Sequence, residues 1–540
     1  MREYADLVFR NGPVFRADAA RSWAAAVAVR AGRIVAVGGD RDVADHTGPA
    51  TEVIDLAGRL LTPGFQDAHV HPRTGGRTLL TCNLTEVLTL DAAIPVIREY
   101  AAGHRNDPWV WGGGWQFAWF PAGMPTKELL DDLVPDRPAY LRVADGHAGW
   151  ANSMALAAAG IDRDTPDPAG GRIERNPDGS LQGTLQEDGA MNLVESLQVE
   201  TPEMIDRSLL RGQDHLLSVG ITAWQDAWVE PELHASYVRL AASGELVASV
   251  RGALWWDASS PIATQIERIE QQRSESIGRY TAGSVKLMLD GVVENFTARM
   301  IDPYLDGVGR STGNTGMDFV DPAELPGIVI EIVRHAFQPH FHALGDAAVR
   351  SALDAVEAAR DAVGLADVRP HIAHIQVVDP SDIPRFRRLG VTANAQALWA
   401  CHEDAMRDLT LPFLTERAAA HQYPFASLLQ AGAALAMGSD WSVSTPDVME
   451  QIDVATTRRV PWDRSRVPFQ PEQRITVADA LAGFTAGSSF VNHLDDRGSI
   501  EVGRVADLAV VGGNPFESDD IAALPIDLTV VSGEVVFERT

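Results

Sequence analysis

A parallel (β/α)8 barrel of the TIM type, an α/β fold, is predicted by three observations in this 540-residue chain. Eight short apolar segments alternate with amphipathic, Ala- and Leu-rich stretches through the middle. Both ends carry hairpin-like runs of alternating residues. About 150 residues separate the first strand segment from the second, whereas the others follow at short, even intervals. The expected organisation is a barrel over residues 61–497, a composite β-sandwich domain from residues 1–60 and 498–540, and a large insertion, 75–210, after the first barrel strand.

Each element has its own local reason. DLVFRNGPVF and AVAVRAGRIVAVGG alternate apolar and polar residues, with Ala31-Gly32 at a turn, so residues 5–60 read as a hairpin meander. ADLAVVGGNP (506–515) and LTVVSGEVVFE (528–538) repeat that texture at the far end, which suggests that the termini share one small β-domain. The barrel strand segments are Phe65–His69, Ile221–Gln225, Val250–Leu254, Val285–Leu289, Pro339–His342, His371–His374, Thr392–Gln396 and Ala434–Met437. Helical stretches lie between most of them, such as AAVRSALDAVEAARDAV (347–363), with Ala and Leu at 3.6-residue spacing. The insertion has its own strand, AYLRVAD (139–145), and a Trp-rich loop. GGGW (112–115) does not follow a strand and open a helix in phosphate-binding fashion, and reads as a flexible loop tip. Because the insertion leaves the chain just after a strand's C-terminal end, it is expected over the barrel mouth.

Composition narrows the function. Hydrophobic residues make up 45% and charged residues 22%, as in ordinary globular proteins, and the formal charge of −29 would repel nucleic-acid phosphates. Only Cys82 and Cys401 occur, so no disulfide framework exists and a reducing compartment is expected. The opening MREYADLVFRNG lacks an apolar signal core, and no run approaches the ~18 apolar residues of a membrane span. These features predict a cytoplasmic protein with a small-molecule substrate and neither nucleic acid nor membrane as partner; a homo-oligomer is compatible with them.

Four histidines and one acid fall at the ends of predicted barrel strands. His69 and His71 (DAHVH) end the first; residues two apart in an extended chain point the same way, so both rings can reach one metal ion. His342 ends the fifth strand (HFHALGD), His374 the sixth (HIAHIQ), and Asp440 follows the eighth (GSDWSV). Barrels of this type draw their catalytic groups from the C-terminal ends of different strands, so the set points to a metal site. His340 shares a strand face with His342 and is a further possible ligand. His371 lies three residues before His374 and should face the other way, into core or surface. Cys401 and His402 lack a cysteine-hydrolase context and read as an incidental pair.

LTPGFQDAHVHP, GSDWSV and GSIEVGRVADLAVV resemble the amidohydrolase superfamily. DGHAGWANSMAL (145–156), SVKLMLDG (284–291), HALGDAA (342–348) and YPFASLLQAGAALAMGSD (423–440) are similar to its amidohydrolase-3, or YtcJ-like, branch, which resembles N-substituted formamide deformylases. The chain departs from that branch at Ala347, Ala373 and Ala397 and in GVVENFTA after Asp290, but no ligand candidate is lost. The resemblance implies that His69, His71 and Asp440 hold one metal and His342 and His374 a second. Only because its motif matches His342 does it place His340 behind the ligands. It implies that Lys286 is the lysine that similar enzymes carboxylate with CO2 to bridge two ions, an anionic carbamate being a ligand where an ammonium would repel Zn²⁺. The implied cofactor is one or two Zn²⁺, with Mn²⁺ or Fe²⁺ as alternatives.

The implied reaction is hydrolysis of a C–N bond at a carbonyl, in an N-acyl or N-formyl amide with a bulky or aromatic substituent. A divalent metal lowers the pKa of a water to about 7. Asp440 would carry the proton to the leaving nitrogen, and His147 would stabilise the oxyanion. Trp109, Trp111, Trp115 and Trp119 crowd one insertion loop, and Trp224, Trp255, Trp256, Trp399 and Trp441 fall near predicted strand ends. Trp115, Trp224, Trp441 and His147 are the expected substrate contacts. An ester, lactone or carbamate hydrolase using the same residues, and a non-catalytic regulator on this scaffold, are the alternatives.

Overall fold

The computed structural model describes residues 3–85, 87–120, 124–144 and 147–540. Eight parallel strands form one sheet: β1 (Phe65–Val70), β2 (Ile221–Val229), β3 (Ser249–Trp255), β4 (Tyr280–Met288), β5 (Gln338–Ala343), β6 (His371–His374), β7 (Thr392–Ala395) and β8 (Leu435–Met437). They lie in sequence order from β1 to β8. Just beyond β8, Asp440 N donates to His69 O at 2.8 Å and His71 N to Trp441 O at 2.6 Å, so the last strand returns to the first and the sheet curls into a barrel.

The two-residue period of the strands sorts the side chains. Along β4, Ser284 and Lys286 alternate with the apolar Val285 and Leu287; along β5, Gln338, His340 and His342 alternate with Pro339 and Phe341. The apolar set is fully buried, and Ser284, Gln338 and His340 of the polar set bond inside the barrel. Helices such as Asp346–Val363 and Leu325–Arg334 bury one apolar stripe each, as in Ala352, Leu353 and Val356 of the first.

Strands from both ends of the chain meet. Leu508–Val511 pairs antiparallel with Leu60–Pro63 inside a six-stranded sheet that also holds Val14–Phe15 and Ile526–Val531. A second, four-stranded sheet contains Leu7–Arg10 and Ala26–Arg30. Leu7, Phe9, Val27 and Val29 of the smaller sheet share one hydrophobic cluster with Leu61, Leu508, Val510 and Val530 of the larger. Burying each such side chain contributes about 1.5–3 kcal/mol.

Contacts divide the chain into two units, Met1–Pro72 with Gln213–Thr540, and Arg73–Gly212. The second unit has its own six-stranded sheet, including Val110–Trp115, Ala139–Val143 and Ala148–Ala151. GGGW is therefore strand, not a loop tip: Gly112 and Gly113 pair with Cys82 and Asn83 on one side and with Leu141 and Arg142 on the other. The glycines are needed for close approach, since a Cβ on Gly112 would lie 2.2 Å from Cys82 O, and Gly114 has φ +99°. Asp145, with which the expected strand 139–145 ends, and Gly146 of the DGHAGW motif lie outside the described residues. Among the described residues no helix is long and apolar enough to cross a membrane.

Candidate metal centre

The C-terminal ends of the barrel strands bring the expected ligands together. One ligand atom each from His69, His374 and Asp440 lies within 4.8 Å of the others, all three residues being buried. Asp440 Oδ1 approaches His71 Nε2 at 3.0 Å and His69 Nε2 at 3.5 Å. Its Oδ2 lies 4.0 Å from His374 Nδ1. The His342 ring sits 4.3 Å from that of His374, and its Nε2 faces Gly291 O at 3.5 Å and Asp290 Oδ1 at 3.9 Å. Lys286 Nζ reaches 3.5 Å from His69 Nε2. His374 thus stands with His69 and Asp440, while His71 flanks Asp440 and His342 flanks His374.

Backbone conformation explains the place of His374. In a regular strand His371 and His374 would face opposite ways. His374 has φ 78° and Ile375 φ 42°, so the strand breaks at its end and the His374 ring joins the cluster while His371 stays inside the barrel. The His374 N–H is fixed by Gln396 Oε1 at 2.7 Å.

Carboxylates beside the cluster tie its loops down. Asp67 accepts the N–H groups of His69 (2.9 Å) and Ser439 (3.1 Å), linking the end of β1 to the segment that presents Asp440. Asp290 accepts those of Arg299 (2.8 Å), Leu344 (3.1 Å) and Gly345 (2.9 Å), linking the end of β4 to the turn after His342. Burial pushes both carboxyls up to about 7. Burial also pulls the Lys286 amine down to about 7, against the opposing pull of Asp440 and Asp226, and holds His69, His342 and His374 well below the ordinary imidazole range.

This donor set suits a divalent cation. Both ring nitrogens of His374 and Oδ1 of Asp440 are buried without a hydrogen bond, a costly state for polar atoms that a metal ion held by Oδ1 and one of the ring nitrogens would relieve in part. Neutral imidazoles and a carboxylate are the ligand types that Zn²⁺ and similar ions take.

The tryptophans divide sharply. Trp115 is fully buried in the core of the second unit, its Nε1 donating to Leu141 O at 2.7 Å, and Trp224 is fully buried with its Nε1 3.5 Å from Tyr237 Oη. Both are packing residues rather than the substrate contacts expected of them: a ring enclosed by a core presents no free face. Trp441, only 7% exposed, follows Asp440 and packs against His215 at 5.0 Å. His147 lies in the second unit with Nδ1 3.1 Å from Glu187 Oε2. Trp399 stacks on His374, with ring planes 7° apart. Trp255 pairs in register with Lys286, so the two share a strand face, and it stacks at 4.0 Å on Trp228, which is 40% exposed. Sequence reading missed Trp228, and missed Gln225, Gln338 and Asn394 inside the barrel. Polar residues at every second position of an otherwise apolar strand were the available signal.

The amidohydrolase family model matches residues 52–537. N-substituted formamide deformylase of Arthrobacter pascens is 28% identical over 556 residues, covering 100% of both chains. Protein LONG AFTER FAR-RED 3 of Arabidopsis thaliana is 29% identical, covering 99% of this chain and 92% of its own. A metal-dependent hydrolase from Pyrococcus furiosus shares the fold with a TM-score of 0.75, at 22% identity, covering 95% of this chain and 100% of its own. The chain therefore belongs to the amidohydrolase family and is a hydrolase acting on C–N bonds.

Proposed function

We propose that the chain hydrolyses an N-acyl or N-formyl amide with a bulky or aromatic substituent, and that it does so with a divalent metal at the His69, His374 and Asp440 cluster. The observation that carries this reading is the Asp440 carboxylate, buried against three imidazoles with no hydrogen bond to Oδ1. His69, His374 and Asp440 would hold the ion, with His71, His342 and Lys286 beside them; Zn²⁺ suits this set. A bound divalent cation supplies Lewis acidity, which acidifies a water and polarises a carbonyl.

The chain's own residues do the rest. The Asp440 carboxylate is the acceptor for the proton of the attacking water and returns it to the leaving nitrogen, since amine expulsion requires protonation. His71 Nε2, 3.0 Å from Asp440 Oδ1, steadies the carboxylate. Lys286 is buried, and burial pulls its amine down to about 7, which favours the neutral form that carboxylation needs. The stacked Trp228 and Trp255, with Trp399 over His374, offer indole faces at the strand ends where an aromatic substituent would rest. The deformylase relative supports the N-formyl choice by its name and full-length match.

The test is turnover of N-benzylformamide. Prolonged chelation should abolish it and Zn²⁺ or Mn²⁺ should restore it. Asp440→Asn should lower kcat by at least about a thousandfold, at the upper range for loss of a general acid–base. Full activity in verified metal-free protein, or hydrolysis of matched esters but not amides, would sink this reading.

A further inference from the structure

Behind His69, a chain of side-chain hydrogen bonds crosses the barrel interior, and every link has a determinate polarity. It starts at Gln338, whose Nε2 donates to Arg369 O at 2.8 Å and to Val491 O at 2.9 Å. Its Oε1 therefore faces inward, where it accepts from Arg251 Nε at 3.0 Å and from the Ser284 hydroxyl. The reversed amide would set its NH2 against the guanidinium and leave both backbone carbonyls facing an oxygen.

That orientation fixes the next link. Gln225 Nε2 lies 3.2 Å from Gln338 Oε1 and must be the donor, so Gln225 Oε1 is an acceptor. It accepts from His340 Nδ1 at 2.7 Å and from His371 Nε2 at 3.0 Å. His371 is consistent with this from its other side: its Nδ1 faces Asn394 Nδ2, a donor, at 3.2 Å, and the same Nδ2 donates to Ala68 O at 2.9 Å. His340 thus carries its proton on Nδ1.

His340 Nε2 lies 2.9 Å from His69 Nδ1, and one proton sits between them. Were it on His340, that fully buried ring would be an imidazolium with an amide and another imidazole as its hydrogen-bond partners and no carboxylate. It belongs to His69 Nδ1. The lone pair of His69 is then on Nε2, the nitrogen that faces Asp440 Oδ1 at 3.5 Å.

We propose that Gln338, Gln225 and His340 are positioning residues that hold His69 as the Nδ1–H tautomer and so present Nε2 as a metal ligand. The inference rests on the reading of the cluster as a metal site. An outer partner that fixes the tautomer of a ligating histidine typically governs 10–100-fold in metal affinity.

The test uses the full chain, metal-free, with ¹⁵N-labelled histidine. Long-range ¹H–¹⁵N spectra should show His69 protonated on Nδ1, the signal being assigned by its loss in His69→Gln. Zn²⁺ titration against a competing chelator should show affinity about 10–100-fold weaker in His340→Leu. His340→Gln, whose amide oxygen can accept the Nδ1 proton, should recover most of that loss. Should His340→Leu fail to fold, Gln225→Leu should show the same weakening, and the wild-type spectrum stands by itself. His69 protonated on Nε2, or unchanged Zn²⁺ affinity in the folded Leu variants, would overturn the proposal. A wild-type chain that takes up no Zn²⁺ overturns the metal reading, while the tautomer spectrum still judges the relay.

Discussion

Lys286 Nζ lies 3.5 Å from His69 Nε2, buried at the end of β4. An ammonium at that distance would compete with a cation for the same imidazole, whereas a carbamate would add an anionic oxygen. Carbamate formation consumes CO2 and a neutral amine, so bicarbonate should speed reconstitution with Zn²⁺ at mildly alkaline pH. Native mass spectra should show the added carboxylate, and Lys286→Ala should lose activity that short carboxylic acids partly restore. Reconstitution indifferent to bicarbonate, with an unmodified lysine at full activity, would rule the carbamate out.

Trp255 and Trp115 should respond in opposite ways to truncation. Trp255 shares a strand face with Lys286 and stacks on the exposed Trp228. If these rings receive the substrate's aromatic group, N-benzylformamide should exceed N-methylformamide by at least about tenfold in kcat/KM, or roughly 1.4 kcal/mol. Trp255→Ala or Trp399→Ala should narrow that gap with little change in stability. Trp115→Ala should instead cost about 3–5 kcal/mol of stability, because its ring fills the core of the second unit. Equal kcat/KM for the two amides would end the aromatic proposal.

Asp290 has three backbone N–H groups to satisfy. Asp290→Leu leaves them buried without an acceptor, at about 1–3 kcal/mol each. Urea unfolding should show a loss of at least about 3 kcal/mol, and Asp290→Asn, which keeps one oxygen, a smaller one. An unchanged midpoint for the Leu variant would show that these loops do not depend on the carboxylate.

His493 gives the fold a defined weakness to acid. Burial, with Arg251 and Arg369 nearby and Asp367 opposing them, takes its pKa from 6.5 down to about 4. The folded ring stays neutral where the unfolded chain takes up a proton, so its contribution to stability falls as pH drops from about 6.5 to about 4 and levels off below. His493→Gln should reduce the difference in melting temperature between pH 7 and pH 5. The other buried histidines remain in both proteins, so the comparison isolates this ring; identical pH profiles would exclude it.

The barrel was legible because its strands are short apolar runs separated by helices of 3.6-residue period, and both signals are local. The candidate metal cluster was legible for a related reason: in a parallel barrel every strand ends at the same rim, so histidines and an acid at strand ends must converge. Folding alone decided which of them touch. His374 joins His69 and Asp440 because the backbone turns to positive φ at the end of β6, a conformation that strand periodicity does not predict. The tryptophans show the same division. Residue type places indoles near strand ends, but whether a residue shares a sheet face with Lys286, as Trp255 does, or packs against a helix, as Trp224 does beside Tyr237, depends on register across neighbouring strands. The glycines of GGGW read as a loop because their lack of side chains suits one; in the fold that same lack lets two neighbouring backbones close on them. Polarity along the chain from Gln338 to His69 is the most distant from sequence of all, since it is set by atoms on five strands that meet only inside the closed barrel.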